Sequence, residues 1–362
     1  GRGGGGRGGA EGGRGRGRRG ACGVDGPCYT ATGRWWGGQA GTEAGGRGLV
    51  RGRDAGSQSD AGDIGAAGEG EAVDIIDVAS QALVDRIVGI DDPELFDFSP
   101  DGRTLFMSLE DDAKLGILDL EAYFAGREER PDLAIAEPSD AALGPEDDED
   151  GEDEEEENGE GDGPDVVGLT TIDVGAEPEG ILASPDGTTV YVASEVANLV
   201  HVVDLATATI RANVLVGQRP RRFALTPDGQ QLWVTNELAA SVSVIDVASS
   251  TVVATLDFPA PKGLRVEDVT PVGIAMTPDG RTAVVALGRA NHVAFVDVTD
   301  RKVEDYVLVG KRAWNATLGR DGTRLYVATG LRDDLTVIDM KSRRATLSVP
   351  VGRVPHTVLI DD

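Results

Sequence analysis

From about residue 71 onward, apolar and polar residues alternate with a period of two over short stretches, as in TTVYVAS (188–194) and LVHVVDL (199–205). Such alternation places one set of side chains on each face of an extended chain and predicts β-strands. The strands return on a schedule. Ser-Pro-Asp-Gly occurs at 99–102 and 184–187, Thr-Pro-Asp-Gly at 226–229 and 277–280, and a degenerate Gly-Arg-Asp-Gly at 319–322. A second marker is an apolar run closed by Asp, seen in VDIID (Asp77), LGILD (Asp119), VHVVD (Asp204), VSVID (Asp246), VAFVD (Asp297) and LTVID (Asp339). Each turn Asp precedes the strand-ending Asp of its unit by 18 residues, as Asp186 precedes Asp204. Where nothing is inserted the next turn Asp follows 24 residues later, so the unit is 42 residues long.

Within residues 180–217 four strands are read: GILAS, TTVYVAS, LVHVVDL and IRANVLVG, joined by SPDG, EVAN and ATAT. Pro and Asp favour the bend at SPDG, and Gly accepts positive φ there. Four strands in about 42 residues is the pattern of a β-propeller blade. A lone four-stranded sheet cannot bury both faces, whereas blades stacked face to face can. The fold class expected is therefore all-β, a propeller of about five full four-stranded blades plus partial ones. The strand-ending Asp residues are expected to accept bonds from backbone amides of the following turn. His201, set between Val200 and Val202, reads as a hydrogen-bonded structural residue, and Trp233 and Trp314 as wedges between blades.

YVAS, LWVTN and LYVATG, each followed by a VSVID-type strand, resemble YVTN-type β-propeller repeats. DPELFDFSPDGRTLF, VGAEPEGILASPDG, VLVGQRPRRFALTPDGQQLWV, PVGIAMTPDGRTAVVALGRANHVAFVD and DYVLVGKRAW are similar to one branch, the PQQ-dependent catabolism-associated β-propeller proteins. The resemblance runs from about Val73 to Asp362, apart from one acidic insertion. It implies a secreted or periplasmic, seven-bladed protein, encoded near quinoprotein alcohol dehydrogenases, c-type cytochromes and export systems, which are the partners it suggests. At its start the chain departs from that pattern. The first unit has only its last two strands (71–90), and HTVLIDD (356–362), which in that pattern pairs with N-terminal strands to close the ring, is expected here either to pair with 71–90 in a strained six-bladed ring or to stay partly unpaired.

Composition divides the chain further. Net charge is −29, yet residues 1–53 hold ten Arg, three acids and 22 of the 51 Gly. Residues 1–70 therefore form a Gly/Arg-rich low-complexity segment, disordered or mistranslated from a shifted frame; an RNA-binding arm is its functional alternative. Residues 137–165 carry 16 acids and no base, so a disordered acidic insertion is expected over about 126–165. It falls between third and fourth strands, away from the channel mouth, and lacks the spacing of a formed Ca²⁺ loop. No run of about 18 apolar residues predicts a membrane span, and no secretory leader is visible. Cys22 and Cys28 lack haem-attachment or zinc spacing, and three His leave little for a multi-His metal site. No metal or cofactor is expected.

In a propeller, the loops from each fourth strand to the next first strand reach the channel mouth, as do those between second and third strands. The first set reads IDDPELF, GAEPEGI, GQRPRRF, VTPVGI, GKRAWNA and GRVPHTV. Asp92, Glu94, Glu177 and Glu179 make one side acidic. Arg219, Arg221, Arg222, Arg312, Trp314, Arg353 and His356 make the other basic. Arginines with a Trp and a His suit a carboxylate; the alternative is that these arginines pair with Glu on the next blade and fix packing. No catalytic set is discernible. The expected function is a non-catalytic periplasmic binding or scaffold propeller accessory to PQQ-dependent alcohol catabolism. A lactonase-like hydrolase with its site at the mouth and a cell-surface interaction protein are the alternatives.

Overall fold

The structure is a computed structural model and describes residues 34–35, 47–51, 72–77, 82–90, 92–128, 166–358 and 360. Six four-stranded antiparallel sheets follow one another along the chain as the blades of a β-propeller. Blade 1 comprises Arg34–Trp35, Arg47–Arg51, Ala72–Asp77 and Ala82–Val88. Blade 2 comprises Pro93–Phe98, Thr104–Leu109, Lys114–Asp119 and Leu169–Asp173. Blade 3 follows with Pro178–Ala183, Thr189–Ser194, Leu199–Asp204 and Thr209–Leu215, and blade 4 with Pro220–Leu225, Gln231–Asn236, Ser241–Asp246 and Thr251–Asp257. Blade 5 is Pro271–Met276, Thr282–Leu287, His292–Asp297 and Lys302–Leu308; blade 6 is Ala313–Leu318, Arg324–Thr329, Asp334–Asp339 and Arg344–Pro350. The first strands of blades 2 to 6 are successive neighbours, which makes them the inner wall.

The period-two pattern becomes interblade packing. In the second strand of blade 3, Val190 and Val192 join Phe106 and Leu115 of blade 2, while Tyr191 and Ala193 join Leu232 and Val234 of blade 4. In blade 4 the intervening Trp233 turns to blade 5 and packs with Val285 and Ala294. Trp233 is fully buried and is the interblade wedge expected of it. Blades 2 to 5 thus hide both faces, and the apolar core is a series of slabs between blades.

The turn chemistry repeats in the same way. Asp186 accepts from the Ser184 hydroxyl (2.6 Å) and the Thr188 amide (3.0 Å), while Gly187 takes φ +70°. The strand-ending Asp119, Asp204, Asp246, Asp297 and Asp339 each accept the backbone amide three residues on, at 2.6 to 3.0 Å. After Asp119 this bond opens a helix, Leu120–Glu128, which the strand periodicity did not predict. Its Tyr123 is buried and donates to Asp85 at 3.2 Å, tying the helix to blade 1.

Several expectations fall at the margins of the described chain. The acidic insertion lies outside the described residues beyond Glu128, and most of the Gly/Arg segment lies outside them too. Blade 1, expected as two strands, is extended by Arg47–Arg51 and Arg34–Trp35. The pairing satisfies the backbone edge that Ala72–Asp77 would otherwise present. Of the two outcomes expected for the C-terminal segment, pairing with 71–90 or staying unpaired, the second is found: among the described residues, 351–358 and 360 enter no sheet. It docks instead on blade 6, with Val358 fully buried against Tyr326, Leu335 and Val337 and its carbonyl accepting the Thr317 hydroxyl at 2.7 Å. Apolar burial against a neighbouring blade holds it where the inner strand of a following blade would sit.

Candidate functional site

The inner strands of blades 2, 3, 4 and 6, and the C-terminal segment after Val354, are each entered through a left-handed residue. Asp92, Glu177, Arg219, Arg312 and Val354 have φ of 30°, 50°, 57°, 60° and 47°. For residues with a Cβ this backbone is costly unless its surroundings fix it. Here the preceding blade does so: Asn198 accepts the Arg219 amide at 2.9 Å, Asn291 the Arg312 amide at 2.8 Å and Asp333 the Val354 amide at 2.9 Å. The loop glycine just upstream is equally constrained. A Cβ on Gly175 would stand 2.8 Å from His201 Nε2, one on Gly217 2.6 Å from Asn236, and one on Gly310 2.5 Å from Thr329. His201 is a structural residue: Nε2 accepts the Gly175 amide at 2.9 Å and Nδ1 faces Asn213 Oδ1 at 2.6 Å. Burial holds it below the usual histidine value, although Asn213 opposes this, so the ring is neutral.

The second residue of each inner strand is then Glu94, Glu179, Arg221, Val272 or Trp314, with His356 at the matching place after Pro355. The first residue after each second strand is Glu110, Glu195, Glu237, Gly288 or Gly330. Backbone bonds lace the two sets: Glu110, Glu195, Glu237 and Gly330 donate their amides to the carbonyls of Asp92, Glu177, Arg219 and Arg312 at 2.8 to 3.0 Å. The three glutamates 110, 195 and 237 are absent from the sequence-based candidates. Their signal was their common position after the second strand, in the second set of mouth loops.

Across blades 3 and 4 the charges form a buried grid. Arg221 pairs with Glu195, with Glu179 at 3.2 Å and with Glu237 at 3.7 Å. Arg222 pairs with Glu179, and Arg219 pairs with Glu195 at 2.5 Å and Glu237 at 3.5 Å. Glu179, Glu195, Glu237, Arg221 and Arg222 are all buried. The arginines of blade 4 are therefore engaged by protein carboxylates, which come from the preceding blade and from blade 4 itself, where the packing alternative expected a Glu on the next blade. Glu177 is exposed, and its side chain stands outside this grid.

On the blade 2 side, carboxylate oxygens of Asp92, Glu94 and Glu110 lie within 4.8 Å of one another. Hard oxygens so placed are the kind that hold Ca²⁺ or Mg²⁺. A shared proton also relieves their repulsion: burial, then the charges of Glu94, Glu179 and Asp92, push the Glu110 carboxyl up to about 8. On the blade 6 side, the Arg312 guanidinium lies 4.5 Å from the centre of the Trp314 ring, and Arg221 lies 5.6 Å from it. The His356 ring stands 5.3 Å from Trp314, tilted by 56°. Trp314 is thus a half-buried part of the mouth as well as an interblade residue. Arg353 is exposed on the C-terminal segment.

A family model described as "Lactonase, 7-bladed beta-propeller" matches residues 169–258, which cover blades 3 and 4 and the last strand of blade 2. None of the curated proteins matches the chain. Among solved structures, Kuenenia stuttgartiensis hydrazine synthase is similar with a TM-score of 0.45 and 18% identity, over 74% of this chain and 89% of that one.

Proposed function

We propose that this is a binding propeller whose ligand seats at the channel mouth, and that it serves PQQ-dependent alcohol oxidation in the periplasm as a non-catalytic accessory. One observation carries the mouth reading. A residue that merely closed the ring at the second position of the inner strand would be apolar, as Val272 is. The equivalents are instead Glu94, Glu179, Arg221, Trp314 and His356. Buried charge is costly and is retained where it fixes a geometry or meets a ligand. The link to a quinoprotein dehydrogenase, a c-type cytochrome or an export system is supported by the resemblance of the repeats.

Lactone hydrolysis is the second reading. It is supported by the family match over residues 169–258 and by Glu110, whose carboxyl keeps its proton to about 8 and can serve as an acid near neutrality. A panel of lactones incubated with the full chain separates the two. The accessory reading expects no turnover above that of the solution without protein. Turnover that disappears in Arg312→Ala or His356→Ala would replace it with a hydrolase.

A further inference from the structure

Arg312 in blade 6 and Arg219 in blade 4 occupy the same place in the repeat. Both precede an inner strand in the left-handed conformation, at φ 60° and 57°. Both amides are held by an Asn of the preceding blade, and both carbonyls accept the amide that follows the second strand, at 2.9 and 2.8 Å. Their side chains meet different surroundings. Arg219 has two carboxylate partners, Glu195 from the preceding blade and Glu237 from its own. The residues at those two positions relative to Arg312 are Gly288 and Gly330. Among the described residues, the Arg312 guanidinium has no ion pair and no hydrogen bond, and its contact is the face of Trp314.

The local field sharpens the contrast. Burial pulls the Arg312 guanidinium below its usual range. Glu237, already shared by Arg219 and Arg221, is the strongest single charge acting on it and opposes this shift, while Arg289, Arg221 and Arg219 each push it further down. The two glycines also give the mouth its shape. A Cβ on Gly330 would stand 2.5 Å from Trp314, so that glycine lets the indole lie flat beside Arg312. A half-buried guanidinium without an ion pair among the described residues, with both partner positions reduced to hydrogen, suits an external planar anion that accepts two parallel N–H bonds.

Resting on the mouth reading above, we infer that Arg312 holds the carboxylate of a small organic acid, which takes the place of the glutamates that blades 5 and 6 lack. Arg221 and the glutamate grid act as the rigid wall behind Trp314. They are positioning residues, and Arg312 is the binding residue.

The test titrates the full chain with benzoate, its neutral isostere benzamide, and inorganic phosphate, following tryptophan fluorescence. Benzoate is expected to give a saturable change and benzamide none. Trp314→Phe should remove the optical change, which locates it at the mouth. Arg312→Met should weaken benzoate at least tenfold, and Arg312→Lys, which keeps the charge but loses the fork, by less. Gly288→Glu should supply the missing carboxylate from the protein and block benzoate. Its Cβ would stand 2.5 Å from Thr270 Oγ1, so if that variant unfolds, Arg312→Met carries the test. Benzoate binding unchanged in Arg312→Met, or a response to phosphate alone, overturns the inference. Benzamide binding as well as benzoate, with the change still lost in Trp314→Phe, removes the carboxylate and keeps the mouth as the site. No response to any of the three also removes the carboxylate, and the lactone panel then judges the mouth reading by itself.

Discussion

The two halves of the channel mouth share a backbone and differ in what their charges meet. In blades 3 and 4, Arg219, Arg221 and Arg222 are interleaved with Glu179, Glu195 and Glu237. In blades 5 and 6 the same loops carry Gly288 and Gly330, and Arg312 lies on Trp314 instead of against a carboxylate. A repeat therefore fixes where a side chain starts without fixing its role. The role depends on the residue at a different position of the neighbouring unit.

The largest effect that could break this contrast is the loss of Glu195. It is buried and pairs with both Arg219 and Arg221, and Arg221 is itself buried. Glu195→Ala leaves a buried guanidinium short of its partner and should cost about 3–5 kcal/mol in urea unfolding. A cost below about 1 kcal/mol would put the grid in the class of solvent-screened surface pairs and dissolve the distinction. Next in size is a pair of glycine substitutions. Gly217→Ala drives a Cβ to 2.6 Å from Asn236, and such overpacking should cost about 1–3 kcal/mol. A Cβ on Gly352, at the matching place beside the C-terminal segment, meets nothing within 4 Å, so Gly352→Ala should leave the thermal midpoint almost unchanged.

A further effect is read as a slope against pH. The unfolded chain releases the Glu110 proton near the ordinary value of 4.5, whereas the folded chain keeps it to about 8. The folded state binds more protons between those values, so stability falls as pH rises through that window. Glu110→Gln should flatten the fall in unfolding free energy measured from pH 4.5 to 8; an unaltered slope would show that Glu110 is not the group responsible. The turn carboxylates act with the opposite sign. Hydrogen bonds from Ser184 and Thr188 hold Asp186 below 3.8, and similar bonds hold Asp228 and Asp279. Their contribution is present above 3.8 and is lost as pH falls through their lowered folded values. The smallest effect is expected at Arg312. With no ion pair to lose, Arg312→Met forfeits a stacking contact of about 0.5–1 kcal/mol. A loss of several kcal/mol in urea unfolding would mean that Arg312 belongs to the paired half after all.

Much of the fold was legible because a 42-residue period repeats its own evidence. The four strands of blade 3, to within about two residues at their ends, the bonds from Asp204 and Asp246 to the following turn, and the wedge at Trp233 follow from alternation and turn chemistry alone. The helix Leu120–Glu128 was not legible from strand periodicity. Its cue was local: a capping Asp119 before LEAYFAGRE, in a position that elsewhere begins a tight turn. At the mouth, reading the first set of loops brought out Arg221, Arg312 and Trp314. Glu110, Glu195 and Glu237 come from the second set, and no spacing rule says that the two sets are laced together by backbone bonds.

The sequence by itself determined the four-stranded repeat of blades 2 to 6 and the alternation of faces along their strands, because a period of two and an Asp-Gly turn act over a few residues. Only the tertiary structure decided which arginines are neutralised. Arg219 and Glu195 are 24 residues apart and in different blades, and Arg312 has glycine at both places where a partner would stand. Pairing depends on distance in space and on the cost of leaving a charge dry, and neither is written in the order of residues along one chain.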